Sequence, residues 1–317
     1  TQQAIDGQSR CGDMHGATPD ANIPAAAGES RHAGLPLRVA CVPYLARHLR
    51  RLIQEARVIT AEQVAHFRTF GFLVFRQLFT PDEVDLMRRE ALEIMAEERG
   101  DAVPGEKWEA VQPFLERKPF LASLVDDDRV HQIPETLLGP DFFLEGTEGN
   151  LHMGSTPWHG AGGTGPSPIP HIKVTFYLDP VSRDSGCLRV IPGSHVSERP
   201  DVYASLRDRT YDDDFMPFGV APSEVPHYAL ESEPGDLVVF TEDLLHASFG
   251  GKAGRHQHAC SFMAGPKTEA DVEWLRGVYK RYRFALHPSR SFVNSERPRI
   301  RRMVSKLVEL GFEEGDC

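Results

Sequence analysis

The sequence is short of several things, and each shortage removes a class of function. Basic residues are outnumbered: 35 Lys and Arg against 46 Asp and Glu leave a formal net charge of −11. Broad contact with a nucleic acid polymer or an anionic membrane needs a basic face, so neither is expected as a partner. A small-molecule substrate held in a local pocket remains compatible with that charge. No apolar run approaches the ~18 residues of a membrane span. Cysteine is scarce, and its five copies (Cys11, Cys41, Cys187, Cys260, Cys317) show no CxxC spacing. This is the usage of a reducing cytoplasm, not of a disulfide framework or a zinc site. No signal-peptide pattern is seen, and a cytoplasmic location is expected. The glycine-rich run from Gly160 to Gly165 lacks the Lys and the following helix of a phosphate loop, and Pro166 and Pro168 interrupt it.

What is present divides by hydrophobic period. Residues 1–35 are rich in Ala, Gly, Ser, Asp and Pro without an apolar period, and a mobile segment is expected there; residues 36–317 read as one domain. Leu45, Leu49, Leu52 and Ile53 predict a helix over Pro43 to Ala56. Thr60 to Gln63 is a capping box opening a second helix that Gly71 stops. Phe72 to Phe75 reads as a buried strand. Thr80-Pro81-Asp82-Glu83 starts a third helix with apolar stripe Val84, Met87, Ala91, Ile94 and Met95. From about residue 130 the period shortens. Phe142 to Leu144, Leu151 to Met153, Ile172 to Leu178, Leu188 to Ile191 and Leu237 to Phe240 are separate short strands bounded by turn residues. Ile172, Val174, Phe176 and Leu178 alternate with Lys173, Thr175 and Tyr177, which predicts one apolar and one polar face. A polar inward face suits a barrel or jelly roll holding a small ligand. The charged, proline-containing stretches 101–130 and 198–230 are expected as lids or insertions. Glu269 to Phe284 and Glu296 to Leu310 predict closing helices.

Two distant histidines carry the chemistry. His159 follows Trp158 and precedes the glycine-rich run; His246 follows the strand Asp236 to Phe240. Mononuclear Fe(II) oxygenases hold iron with two His and one carboxylate on one face. Here the residue two beyond His159 is Ala161, which cannot bind a metal. Arg255, nine positions after His246, is a candidate clamp for a carboxylate through its bidentate fork. A hairpin between His246 and Arg255 is expected, with Arg255 on the following strand. Arg255 is otherwise a surface charge, and each His is otherwise a structural or exposed residue.

Pro157 to His159, Ile172 to Pro180, Asp184 to His195, Gly235 to Phe240 leading to His246, and the early Gly71 to Phe75 together resemble the phytanoyl-CoA dioxygenase family, over roughly residues 60 to 265. The resemblance implies a mainly β double-stranded β-helix (a cupin-like jelly roll) with flanking helices that uses Fe(II), 2-oxoglutarate and O2. It implies His159 and His246 as metal ligands and Arg255 as the 2-oxoglutarate clamp, with Lys173 and Thr175 beside it. Ala161 departs from the pattern, because the family's oxygenases have Asp there.

That departure resembles the iron- and 2-oxoglutarate-dependent aliphatic halogenases, in which chloride takes the vacated position. The small residues Gly160, Ala161 and Gly162 leave room for the ion. The implied reaction is chlorination of an unactivated aliphatic carbon of a small molecule. The combination is similar to the nucleotide halogenases of chlorinated purine-nucleoside antibiotic pathways, which chlorinate the sugar of deoxyadenosine monophosphate. His171, Lys173, Arg189 and His195 are the candidates for a substrate phosphate, and Trp158 for substrate contact. Other readings stay open. Glu148, Asp179 or Asp184 would complete the metal triad of a hydroxylase. Ala161 would be a degenerate or engineered replacement in one. A non-enzymatic jelly-roll binding protein is the third.

Overall fold

The computed structural model describes residues 59–100, 109–161, 167–196, 200–207, 214–281 and 286–315. The mobile segment expected over 1–35 and the helix expected over 43–56 lie outside these residues, as does Gly162.

Helix α1 (Ala61–Phe70) opens with the capping box of Thr60 and Gln63 and closes on Gly71, whose φ of 87° is left-handed. Strand β1 (Phe72–Phe75) follows. Helix α2 (Pro81–Arg99) has the Thr80/Glu83 capping box and proline in its first turn, and it buries Val84, Met87, Ala91, Ile94 and Met95 as its period requires. Next come β2 (Glu109–Val111), α3 (Pro119–Leu124) and α4 (Asp128–Leu138). The β-rich part comprises β3 (Phe142–His159), β4 (His171–Tyr177), β5 (Leu188–Val190), β6 (Tyr228–Leu230), β7 (Leu237–Thr241) and β8 (His246–Ala264), with short helix α5 (Ala204–Arg207) between β5 and β6. Helices α6 (Glu269–Arg281), α7 (Arg290–Val293) and α8 (Pro298–Glu309) follow.

The strands form two antiparallel sheets that share two long members. The larger runs β1-β7-β4-β8-β3-β2. The smaller joins β6, β5, the first part of β8 and the last part of β3. The arrangement is consistent with a double-stranded β-helix. Ile172, Val174 and Phe176 of β4 and Cys260 and Phe262 of β8 pack with Met87, Ile94, Leu121, Ile133 and Met303 in the main core, so helices cover one face of the larger sheet. Lys173, Thr175 and Tyr177 take the opposite, inward face, as their alternation requires.

Three expectations change. Phe142 to Leu144 and Leu151 to Met153 are one strand, because register shifts at Gly146 and Gly154 carry β3 through its glycines instead of ending it. His246 and Arg255 lie on one strand, not across a hairpin: β8 absorbs the glycines with a shift between the Gly154–Gly251 and His152–Arg255 pairs. The described part of 101–130 is scaffold and not a lid. Phe114, Leu115, Leu121 and Leu124 are at most 2% exposed. Its charges are held by α2, through Lys118 with Glu93 and Glu97, Arg117 with Glu98, and Glu109 with Arg99. In the described part of 198–230, Leu206 and Val225 pack against Trp158, Leu245 and Ala247 on the smaller sheet, while Val202, Met216, Phe218 and Tyr228 stay exposed.

Candidate functional site

Period-two alternation places the two histidines. Trp158, Leu245 and Ala247 share an apolar cluster on one face of the smaller sheet, so His159, His246 and Ser248 project to the other. β3 and β8 pair His159 directly with His246. Their ring centroids are 4.0 Å apart, tilted by 55°. Nδ1 of His159 lies 2.8 Å from the Pro157 carbonyl, and Nδ1 of His246 lies 2.7 Å from the Leu244 carbonyl. A carbonyl oxygen only accepts, so each Nδ1 carries the proton and donates it. Each Nε2 then holds the ring's lone pair, the arrangement that orients a histidine toward a metal.

Ala161 is half-buried, two residues after His159, and Gly160 is buried. Among the described residues no group of three or more His, Cys, Asp or Glu is arranged to hold a metal ion. Of the carboxylates considered as replacements, Glu148 and Asp179 are engaged otherwise. Glu148 takes Lys173 at 3.3 Å and Gln112 at 3.0 Å. Asp179 is bound by Arg88 and by the backbone and ring of His256, and these partners outweigh burial to hold it well below the usual carboxylate range. Asp184 sits in the turn Arg183–Ser185, its backbone against Gly250.

Arg255 is 6% exposed and folds back along β8. Its Nη1 donates to the Gly186 carbonyl and, at 3.1 Å, lies against Ser248 Oγ, two residues from His246. Burial lowers its pKa, opposed by Tyr177 and Cys187. Among the described residues its Nε has no hydrogen-bond partner, and neither has Oγ1 of the fully buried Thr175. An orphaned guanidinium edge and a hydroxyl on the inward face are the donors that a bound dicarboxylate would satisfy. These residues therefore fit 2-oxoglutarate, and the two histidines fit a metal with its carboxylate position open.

Other expected residues are not brought to this arrangement. Lys173 pairs with Ser261 on β8, six levels from Arg255 or roughly 20 Å of strand. It bonds Glu148 and lies 3.9 Å from Glu242, so it is no partner to the Arg255 clamp. Trp158 is fully buried with its indole N–H on the Pro222 carbonyl at 2.7 Å; it is core and has no surface for a substrate. Arg189 spends its guanidinium on the Ser223 and Arg183 carbonyls, each at 2.8 Å, and lies over Phe249. His195 lies 3.2 Å from the Arg68 carbonyl and packs against Gly71. His171 lies on the inward row, its Nδ1 3.2 Å from the Ile169 carbonyl.

Sequence reading gave no role to Ser248 or Glu242, and it named Tyr177 only for the polar face of its strand. Glu242 accepts from Ser261 at 2.8 Å and lies 3.9 Å from Lys173. Its one signal was its place just past β7, where an apolar strand delivers a polar residue at its end.

The comparisons complete this picture. The family model for phytanoyl-CoA dioxygenase (PhyH) matches residues 67–257. The chain belongs to the phytanoyl-CoA dioxygenase family. At the level of that family it is an Fe(II)/2-oxoglutarate dioxygenase, an oxidoreductase. This phytanoyl-CoA dioxygenase family member is similar to the ectoine dioxygenase of Sphingopyxis alaskensis, 25% identical over 61% of this chain and 71% of that protein. It is also similar to phytanoyl-CoA dioxygenase 1 of Oryza sativa subsp. japonica, 32% identical over 31% of this chain and 39% of that one. Among solved structures, HygX from Streptomyces hygroscopicus with nickel and 2-oxoglutarate bound superposes with a TM-score of 0.53 at 21% identity, over 67% of this chain and 90% of that one. EctD from S. alaskensis with 2-oxoglutarate and 5-hydroxyectoine gives 0.53 at 21%, over 66% and 78%. At these identities the superpositions show a common fold. No helix among the described residues is long and apolar enough to cross a membrane.

Proposed function

We propose that the protein is an Fe(II)- and 2-oxoglutarate-dependent oxidoreductase that chlorinates an unactivated carbon of a small molecule. His159 and His246 would hold the metal through Nε2, and Arg255 with Thr175 would hold 2-oxoglutarate. When bound, iron and 2-oxoglutarate supply the oxidising power for a C–H bond that side chains cannot break. The protein's part is placement. The Pro157 and Leu244 carbonyls fix the imidazole tautomers. Ser248 and the Gly186 carbonyl fix the Arg255 fork. The observation that carries halogenation is Ala161. A small apolar side chain stands where the family pattern has Asp, and no carboxylate among the described residues joins the His pair in a metal-holding group. Losing a carboxylate leaves a site one negative charge poorer, and a halide ion supplies both the missing ligand and the missing charge.

A second reading is hydroxylation, favoured because the two curated relatives are named dioxygenases. A carboxylate supplied from outside the described residues would produce it. The substrate to test first is a nucleotide, deoxyadenosine monophosphate, with Arg189 and Lys173 set aside as phosphate ligands because both are already bonded. The test is succinate formation from 2-oxoglutarate by the iron-loaded protein, with and without chloride, across a nucleotide panel. Halide-dependent succinate formation coupled to substrate loss supports halogenation. Coupled turnover indifferent to chloride supports hydroxylation.

A further inference from the structure

Arg189 stands where the packing around it is apolar. It lies on β5 opposite Ala247 of β8, and its neighbours Leu188 and Val190 join the cluster of Tyr177 and Phe240 on the inward side. Alternation turns Arg189 to the outer face of the smaller sheet, away from His159 and His246. There its Cζ lies 5.2 Å from the centroid of the Phe249 ring. From that face it cannot touch a cosubstrate held by Arg255. The residue is 6% exposed, and burial disfavours its charge. Both bonds of its fork end on main-chain carbonyls: Nη1 donates to Ser223 and Nη2 to Arg183, each at 2.8 Å. Neutral carbonyls offset the lost hydration of a cation less well than a carboxylate does, so stability alone is a poor reason for an arginine here.

The two carbonyls belong to turns on either side of β5. Ser223 lies in the turn Pro222–Glu224, and the Pro222 carbonyl takes the Trp158 indole N–H at 2.7 Å. That turn is therefore tied to β3 through Trp158 and to β5 through Arg189. Arg183 opens the turn Arg183–Ser185. Gly186, the residue after that turn, offers its carbonyl to Arg255 Nη1 and, at 3.1 Å, to Ser248 Oγ. The carbonyl that Arg189 holds is thus in the same short turn as the carbonyl that seats the clamp. The fit between turn and clamp has no slack. A Cβ on Gly186 would fall 1.8 Å from Arg255 Nη1 and 2.7 Å from the Gly251 Cα. A shift of the turn must therefore move the Arg255 guanidinium.

We propose that Arg189 is a positioning residue for the cosubstrate clamp. It ties the Arg183–Ser185 turn to the Pro222–Glu224 turn and so sets the place of the Gly186 carbonyl that orients the Arg255 fork. Arginine suits this task because its planar fork reaches two acceptors at a fixed separation, which a single ammonium does not. The role rests on the reading of Arg255 as the 2-oxoglutarate clamp.

The test is a double-substitution cycle on the full chain loaded with nickel(II). Wild type, Arg189→Met, Arg255→Lys and the double variant are each titrated calorimetrically with 2-oxoglutarate. Methionine keeps much of the stem and removes the fork. Arg189→Met should weaken 2-oxoglutarate binding about three- to thirtyfold. In the Arg255→Lys background the same substitution should change affinity by less than about twofold, because the fork it positions is already gone. A residue that only supports the scaffold would give the same loss in both backgrounds. Should Arg189→Met fail to fold, Arg189→Lys carries the same cycle, since one ammonium cannot span both carbonyls. Unchanged affinity on substitution of Arg189, or an equal loss in both backgrounds, overturns the proposal. Absent 2-oxoglutarate binding in wild-type protein, or an Arg255→Lys affinity equal to that of wild type, instead overturns the clamp reading, and the positioning role falls with it.

Discussion

Replacing Arg255 by Lys separates the cosubstrate clamp from the scaffold. Arg255 is nearly fully buried; its Nη1 meets the Gly186 carbonyl and Ser248, and among the described residues its Nε has no partner. Lysine keeps the positive charge but presents one compact ammonium in place of a planar fork. The Gly186 carbonyl keeps the Ser248 hydroxyl at 3.1 Å, so the fold loses little. The loss falls on the dicarboxylate, which gives up at least one charge-assisted hydrogen bond of about 1.5–3 kcal/mol. At 1.4 kcal/mol per factor of ten, the dissociation constant should rise about ten- to a hundredfold. Calorimetric titration of 2-oxoglutarate into the metal-loaded variant measures this, alongside the melting temperature. Unchanged affinity, or a loss of affinity that merely follows a collapse in stability, would refute the clamp.

Gly186→Ala attacks the same clamp from the backbone. Its φ of 89° is left-handed, and an added Cβ would meet the Arg255 guanidinium and Gly251. Left-handed backbone costs a non-glycine residue about 1–2 kcal/mol, so a lower melting temperature and weaker 2-oxoglutarate binding should appear together. His258 should confer acid sensitivity. Among the described residues neither ring nitrogen, beside Phe114, has a partner, and burial, with the neighbouring His256 charge, pushes its pKa from 6.5 down to about 3. The unfolded chain therefore takes up the proton first, so the contribution is intact above about 6.5 and is lost as pH falls toward 3. Stability should drop by about 2 kcal/mol between pH 7 and 5 through this group. Denaturant titrations of His258→Leu should show a correspondingly shallower dependence; an identical slope would refute it.

Much of the scaffold was legible because local chemistry and tertiary role agree. The capping boxes at Thr60 and Thr80 and the stripe from Val84 to Met95 each have one sensible reading, and the helices occur as expected. The inward and outward faces of β4 were equally plain from Ile172 to Tyr177. The long strands were not legible. Glycines at 146, 154 and 251 read as strand ends, yet in β3 and β8 they sit at register shifts. Charge misled over 101–130, expected as a lid or insertion, because in its described part Arg117 and Lys118 pair with acids on α2. The site divided in the same way. His159, Ala161 and His246 could be picked out by type and spacing. Glu242 could not, because it meets Lys173, itself picked out for another role, only through the order in which β8, β4 and β7 lie side by side.

The central claim is that position 161 is left open for a halide. The most direct measurement is the mass of the product formed by wild-type protein and by Ala161→Asp, each with chloride, with bromide and without halide. Wild-type protein should yield a chlorinated product with chloride and a brominated one with bromide. Ala161→Asp returns a carboxylate to the open position and should lose halogenation, with or without gaining hydroxylation, since a shift of ~1 Å in placement can abolish turnover. Halogenation that persists in Ala161→Asp would contradict the account, as would wild-type protein that hydroxylates equally well whether or not halide is present.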